Sequence, residues 1–184
     1  MITRSAVDKS RIIGVGIGMP GFIDTKKGIN LSFLETKDKS ILEYLSEKIN
    51  LPVYIDNDSS LIALAELKFG NARNKDNAMV LNISWGVGLG LVLDGELFRG
   101  HSGFAGEFSH MPLFNNNKLC SCGKTGCLET ETSLLVLIDK VNEGLKSGRT
   151  SILSKSEHNG NPEIEYEAII NAAVKGDQFA IEIL

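Results

Sequence analysis

Three cysteines in one short stretch constrain the fold of this chain more than any other feature. The 184-residue sequence has 3 cysteines in all: Cys120, Cys122 and Cys127. Gly123 and Gly126 lie between or beside them and permit the tight backbone bending that brings sulfur atoms together. His110 lies ten residues before the first cysteine and supplies a nitrogen ligand. Three thiolates and one imidazole fill a tetrahedral shell with no open position, which is typical of structural rather than catalytic zinc.

We therefore predict a structural zinc site with four ligands: His110, Cys120, Cys122 and Cys127. The alternative is a set of buried or free thiols beside a surface histidine. A disulfide framework does not fit, because such frameworks usually have even numbers of cysteines spread along a secreted chain. Residues 110–129, which contain all four ligands, are named the cysteine loop below.

Charge and composition exclude several classes of function for these residues. The net charge is −4, so the chain lacks the basic excess that nucleic-acid binding usually needs. Hydrophobic residues make up 42% and charged residues 23%, as in ordinary globular proteins. No apolar run approaches the roughly 20 residues that cross a bilayer, and the N-terminus has no signal-peptide pattern. We expect a cytoplasmic protein that makes no membrane contact.

The residue pattern mixes strands and helices, which predicts an α/β fold. In the first half it predicts a buried strand at 12–18, an amphipathic helix at 37–50, a strand at 53–55 and a helix at 59–69. In the second half it predicts strands at 79–83, 88–93 and 96–98, a loop at 115–126, and helices at 128–145 and 163–184. Asp94-Gly95 is a strong hairpin signal, and Gly176-Asp177 should interrupt the last helix. Because the chain starts almost directly in a core strand and stops within an apolar helical pattern, we expect a fragment of a longer protein.

Two segments carry a resemblance to a known family. They are GFAGEFSH at residues 103–110 and CSCGKTGCLE at residues 120–129. Further matches are GIGMPGFID at 16–24, the Asn57-Asp58 pair, and LDGELFRG at 93–100. Together they resemble the signature of the ROK family of repressors and sugar kinases, from about residue 12 to residue 133. The cysteine motif is the most specific part of this resemblance.

The resemblance implies an actin-like sugar-kinase fold, in which two ribonuclease-H-like lobes flank a sugar cleft. On that basis residues 1–72 form part of the first lobe, and residues 73–184 form part of the second lobe with the cysteine loop. The chain is then an incomplete two-lobe fragment, without the start of the first lobe and the end of the second.

The resemblance also implies a set of sugar contacts: Asn57, Asp58, Glu107, His110 and Glu129. Acidic and amide side chains suit sugar hydroxyls, which both donate and accept hydrogen bonds. If the protein is a kinase, Asp58 matches the general base that deprotonates the attacked hydroxyl. Each residue also has an ordinary structural explanation. Asn57 and Asp58 would end a strand and cap a helix, Glu129 would be a first-turn helix acid, and Glu107 a solvated charge.

Trp85 separates the two branches of the family. The family's kinases hold phosphate with a Gly-Thr-Gly turn, and here that turn reads Ser84-Trp85-Gly86-Val87-Gly88. An indole in place of the threonine cannot accept the phosphate's charge and fills the space for it. The kinases' Asp-Gly-Gly-Thr-type phosphate loop and adenine-binding glycines do not occur in this chain.

We therefore predict a non-enzymatic, sugar-sensing domain of a transcriptional regulator of carbohydrate metabolism. One alternative is an ATP-dependent hexose or N-acetylhexosamine kinase whose turn functions with Trp85. Another is an α/β zinc domain that binds no ligand. The regulator interpretation implies a small sugar or sugar-phosphate effector, DNA contact through a helix-turn-helix outside this chain, and a homodimer or tetramer.

Overall fold

A computed structural model describes residues 7–32, 40–155 and 162–184. The strands are β1 (Val15–Met19), β2 (Ile23–Asp24), β3 (Ile29–Asn30), β4 (Val53–Asn57), β5 (Ala78–Ile83), β6 (Val87–Leu93) and β7 (Glu96–Phe98). The helices are α1 (Ile41–Ile49), α2 (Asp58–Phe69), α3 (Glu129–Thr132), α4 (Leu134–Lys146), α5 (Pro162–Val174) and α6 (Gln178–Ile183). This mixture confirms the predicted α/β class.

The chain forms two compact units. The first contains Met1–Val80 and Leu89–Gly106, and the second contains Leu81–Gly88 and Glu107–Leu184. The tip of the β5–β6 hairpin therefore belongs to the second unit. These units are not the two family lobes that the resemblance implied at residues 1–72 and 73–184. That division stays a prediction.

The core of the first unit is built around the parallel pair β1 and β4. Val15 pairs with Val53 and Met19 with Asn57, so both strands end at the same level. Four buried side chains, two of them from β4 itself, form one cluster at this pair: Ile23, Ile41, Val53 and Ile55. Because parallel strands place their carboxyl ends at one edge, this register brings the turn after β1 close to the start of α2.

Caps set the ends of the first two helices. Ser40 and Glu43 form a reciprocal capping box, so α1 begins at Ile41, inside the predicted 37–50 range. Residues 37–39 of that prediction lie outside the described residues. The helix ends at Asn50, which takes the left-handed conformation with φ of 55°. The second helix is capped by Asn57, whose Oδ1 accepts from the Ser60 N–H at 3.0 Å.

Strands β5, β6 and β7 form one sheet in that order. Asp94 and Gly95 both have positive φ, 53° and 75°, as the type I′ turn of a two-residue hairpin requires. The turn pairs Leu93 with Glu96 and confirms the predicted hairpin. Gly90 lies where β6 meets α2, and a Cβ there would overlap the Cβ of Ala63.

The predicted continuous helix at 128–145 is wrong at Ser133. Ser133 has ψ of 152°, which ends α3 after four residues, and its Oγ accepts from the Val136 N–H to cap α4. A serine side chain competes for backbone hydrogen bonds, so it favours a helix start over a helix interior. The predicted break at Gly176-Asp177 is confirmed, because Gly176 has φ of 84° and Asp177 caps α6.

Buried residues of α4, α5 and α6 share a core with Leu153: Ile138, Val141, Ile169, Ala172, Phe179 and Ala180. Among the residues described, no helix has both the length and the apolar character needed to traverse a bilayer.

We expect Gly90→Ala to lower the free energy of unfolding by about 1–3 kcal/mol, because the added methyl overpacks β6 against α2. Urea unfolding of the full-length protein measures the change. The matched variant is Gly90→Ala combined with Ala63→Gly, which removes the overlapping methyl from the helix. This double variant should lose less stability than the sum of the two single changes. Strict additivity would show that the two positions do not press on each other.

Candidate metal centre

Residues 115–126 form a loop, as predicted, and single antiparallel bridges join the two arms of the cysteine loop into a narrow ribbon. Single bridges pair Pro112 with Cys127 and Leu119 with Thr125. The N–H groups of Leu113 and Phe114 both donate to the Gly126 carbonyl at 2.9 Å. Gly126 has φ of 73°, and a Cβ there would collide with the Phe114 carbonyl. The ribbon therefore closes only because position 126 has no side chain.

This closure brings together the four predicted ligands: His110, Cys120, Cys122 and Cys127. Their ligand atoms all lie within 4.8 Å of one another. His110 Nδ1 is 3.4 Å from Cys120 Sγ, and Cys122 Sγ is 3.7 Å from Cys127 Sγ. A tetrahedral zinc ion with Zn–S bonds of about 2.3 Å has sulfur–sulfur edges of roughly 3.8 Å. The residues therefore fit a four-coordinate metal ion.

Local turns position each ligand. His110 ends the 3-10 turn Phe108–His110. The Cys120 N–H donates to the Lys124 carbonyl, and the Gly123 N–H donates back to the Cys120 carbonyl, which folds the chain around Cys122. The Cys127 thiol is 3.5 Å from the His110 carbonyl. Cys120 and Cys127 are buried, so the sulfur cluster faces inward.

The pKa values of the Cys122 and Cys127 thiols are shifted in opposite directions. Burial, followed by its hydrogen bond with Cys122, raises the pKa of Cys127 to about 11. Burial also raises the pKa of Cys122, but this is outweighed by hydrogen bonds from the Lys124 backbone and from Cys120, so its pKa is lowered. Three neighbouring thiolates need a positive charge at their centre, which a bound divalent cation supplies while it releases protons.

Glu129 lies two residues after Cys127 and begins α3. Its Oε2 is 3.4 Å from where a Cβ of Gly86 would be. Gly86 belongs to a tight turn in which the Ser84 N–H donates to the Gly86 carbonyl at 2.9 Å. Trp85 occupies the apex of this turn and is 46% exposed. The cluster, Glu129 and the Trp85 turn therefore lie in the same unit, with Glu129 beside the turn.

The other residues with an implied sugar contact are distributed over both units. Asn57 and Asp58 belong to the first unit, and Glu107 belongs to the second with His110 and Glu129. Asn57 caps α2 and also donates from Nδ2 to the Gly21 carbonyl at 3.2 Å, so its structural role is observed. Asp58 accepts from the Ser59 N–H at 2.7 Å. Glu107 is half-buried at the start of the 3-10 turn. Their contact with a sugar stays a prediction.

Sequence reasoning missed two ion-paired carboxylates near these residues. Asp56, which precedes Asn57, binds both terminal nitrogens of Arg99 at 2.9 and 2.6 Å, and this hydrogen bonding raises the pKa of Arg99. Glu131 on α3 pairs with Lys118 and Lys140, each at 2.8 Å. The one signal in the sequence is an acid shortly after Cys127 with lysines on either side of it.

Comparison with known proteins identifies the family. The family model described as ROK matches residues 1–184. A xylose repressor of Caldicellulosiruptor bescii is 36% identical over 172 residues, which cover 91% of this chain and 42% of the repressor. A glucokinase of Halalkalibacterium halodurans is 32% identical over 182 residues, covering 96% of this chain and 54% of the kinase. The chain thus spans about half the length of such relatives.

Solved structures show the same division between regulators and kinases. A ROK family transcriptional regulator, a homolog of the Escherichia coli MLC protein, superposes with a TM-score of 0.77 at 34% identity, covering 94% of this chain and 43% of that one. A ROK family glucokinase from Streptomyces griseus, in complex with glucose and AMPPNP, has a TM-score of 0.78 at 27% identity, covering 94% and 56%. The fold is the actin-like sugar-kinase fold that the resemblance implied. The chain belongs to the ROK family, as its glycine and cysteine motifs indicated.

Proposed function

We propose that this chain is the sugar-sensing part of a ROK family transcriptional regulator, stabilised by a structural zinc ion. The observation that carries the proposal is Trp85 at the apex of the Ser84–Gly86 turn. In the family's kinases this turn holds a threonine and contacts phosphate. An indole there supplies no hydroxyl and occupies volume that a phosphate needs.

The sugar site is proposed to retain the family's polar residues. Asp58 at the start of α2 and Glu129 at the start of α3 both present carboxylates, which accept hydrogen bonds from sugar hydroxyls. His110 directs Nδ1 to Cys120, so Nε2 is the atom through which its imidazole would contact a ligand. A protein with these residues but an altered phosphate turn binds sugar without transferring phosphate to it.

Zinc is the ion we propose for the His–Cys cluster. Thiolate and imidazole ligands favour zinc over magnesium or calcium, which take oxygen ligands. Four protein ligands leave no position for water, so the ion would stabilise the cysteine loop and take no part in a reaction. His110, Cys120, Cys122 and Cys127 would hold it.

A second candidate function is that of an ATP-dependent sugar kinase. It is supported by Asp58, which the sequence resemblance matches to the kinases' general base, and by the glucokinases among the relatives. In that case Asp58 is the catalytic residue and Trp85 is tolerated by a rearranged turn.

The regulator proposal includes its partners and its location. The effector is a small sugar or sugar phosphate, and the DNA contact is made by a helix-turn-helix outside these residues. We propose a cytoplasmic homodimer or tetramer. The relatives named xylose repressor and DNA-binding transcriptional repressor Mlc support this proposal.

We expect the purified protein to contain about one zinc ion per chain, because the four ligand atoms all lie within 4.8 Å of one another. Elemental analysis measures the metal, and alkylation with iodoacetamide measures thiol access before and after a chelator is added. The thiols should resist alkylation until the ion is removed. Protein that never met a chelator and yet holds no zinc would disprove the site.

We expect Cys122→Ser to loosen residues 110–129, since the loss of one thiolate removes folding free energy that the metal contributes locally. Limited proteolysis should cut this segment faster than in the unaltered protein. Ser121→Ala is the matched control, because Ser121 is exposed in the same turn and is not among the predicted ligands. Equal protease resistance in both variants argues against a structural metal.

We expect the full-length protein to bind a sugar but not to phosphorylate it, because phosphoryl transfer depends on charge stabilisation around the phosphates. The measurements are calorimetric binding and ADP release with a panel of hexoses, pentoses and N-acetylated hexosamines, with ATP and magnesium present. Turnover should stay far below the range of about 1–100 per second that is typical of kinases.

Asp58→Ala should weaken sugar binding about 10-fold or more, since a charged hydrogen bond to the sugar is lost. Asp139→Ala removes an exposed carboxylate from α4 and serves as the control. Sugar-dependent ADP release at an ordinary kinase rate would overturn the regulator assignment and establish the second candidate.

A further inference from the structure

The two carboxylate oxygens of Glu131 contact different parts of the second unit, the cysteine loop and α4. Oε1 accepts from Asn116 Nδ2 at 2.6 Å and is 2.8 Å from Lys118 Nζ. Oε2 is 2.8 Å from Lys140 Nζ on α4, and the same ammonium group contacts the Glu131 carbonyl at 3.4 Å. One oxygen therefore binds the cysteine loop and the other binds the helix that follows it.

Residues 111–119 form the first arm of the ribbon, and Asn116 is the residue through which this arm contacts Glu131. Of residues 111–119, only Asn116 is half-buried, and the others are exposed, with Leu119 at 75%. An arm that is this exposed gains little from apolar burial, so its position depends on polar contacts. The Glu131–Asn116 bond is such a contact.

Short hydrogen-bonded steps connect this attachment to the metal ligands. Asn116 Oδ1 accepts from the Lys118 N–H at 3.0 Å, which fixes the turn before the ribbon. The Lys118 carbonyl accepts from the Gly126 N–H at 3.0 Å, which joins the two arms beside Cys120 and Cys127. Glu131 thus ties the segment before the first cysteine to the helix after the last one.

The charge of Glu131 makes these contacts strong. Its side chain is 18% exposed, and hydrogen bonds from Lys118 and then Lys140 lower its pKa to about 2. The carboxylate is therefore ionised at neutral pH, and its hydrogen bonds are charge-assisted. None of these partners is a ligand in the His–Cys cluster, so the contacts can form whether or not a metal ion is bound.

We propose that Glu131 is a positioning residue that holds the cysteine loop in its metal-binding form before the ion enters. A loop that is already ordered loses less conformational entropy when its ligands bind the ion, so it binds the ion more tightly. The inference rests on the proposed metal site and concerns the residue that preorganises it.

The test compares metal binding by full-length protein with and without the Glu131 charge. Glu131→Gln keeps the shape of the side chain but turns an NH2 group toward a lysine or asparagine donor. We expect zinc affinity, measured by competition with a chromogenic chelator, to fall about 10-fold, and zinc release to become correspondingly faster. Cobalt(II) titration should give the tetrahedral absorption bands in both proteins, with weaker binding in the variant.

Two further variants distinguish an effect of Glu131 on the cysteine loop from an effect on the stability of the whole protein. Glu182→Gln removes a carboxylate that pairs with Arg149 in the same unit, away from the loop, and should leave zinc affinity unchanged. Glu131→Asp keeps the charge on a shorter side chain and should restore part of the affinity. Thermal unfolding of the metal-free proteins should show similar melting temperatures for Glu131→Gln and Glu182→Gln.

The outcomes separate this inference from the proposed metal site. If the unaltered protein binds neither zinc nor cobalt(II), the metal site itself is wrong. If it binds zinc and Glu131→Gln binds equally well, the positioning role is overturned. Should Glu131→Gln fail to fold, Lys140→Met replaces it, because it removes only the helix contact of Oε2. Unchanged zinc release in Lys140→Met would then overturn the inference.

Discussion

The placement of the His–Cys cluster in the second unit depends on the backbone hydrogen bonds that close the cysteine loop. Backbone hydrogen bonds from Leu113 and Phe114 to Gly126 bring the two arms of the loop together and gather three sulfurs and one imidazole. Helix α3 starts two residues after Cys127, so the position of Cys127 sets where Glu129 begins the helix. Because the Leu134 N–H then donates to the Ser84 carbonyl, the Trp85 turn is attached to the same framework.

In the first unit, strand pairing rather than a loop positions the polar residues Asn57 and Asp58. The parallel register of β1 and β4 sets Asn57 and Asp58 at the carboxyl end of the pair, where α2 begins. Asn57 caps the helix, which fixes its side chain before any ligand arrives. Asp56 is held by both nitrogens of Arg99, so the strand end is anchored on one side by a charge pair and on the other by a cap. These contacts hold the side chains of Asp56 and Asn57 in fixed positions.

Local signals account for what the sequence predicted. Asp94-Gly95 has the backbone preference of its turn, Gly176-Asp177 interrupts the last helix, and the spacing of the cysteines with two glycines anticipates the cluster. The ROK resemblance added the fold, which the pattern of strands and helices alone leaves at the level of α/β. The ion pairs were not predictable in this way. Asp56 and Arg99 are 43 residues apart, and charged residues are common on every surface.

The break at Ser133 shows a second limit of pattern reading. Apolar spacing continues through residues 128–145, so periodicity alone indicates one helix. The competing effect is the hydroxyl of Ser133, which accepts a hydrogen bond from the Val136 N–H and caps a new helix. Glu129 and Glu131 therefore occupy a single helical turn between the ribbon and α4.

Gly126 limits how the cysteine loop can evolve. Its φ of 73° and the approach of the Phe114 carbonyl both exclude a side chain, and the obstacle is backbone, which cannot move aside as a flexible side chain can. A single missense change at this position would separate the two arms of the ribbon while leaving every cysteine in the gene. Selection that preserves the four candidate ligands must therefore preserve Gly126 as well, although it contributes no side chain to the cluster.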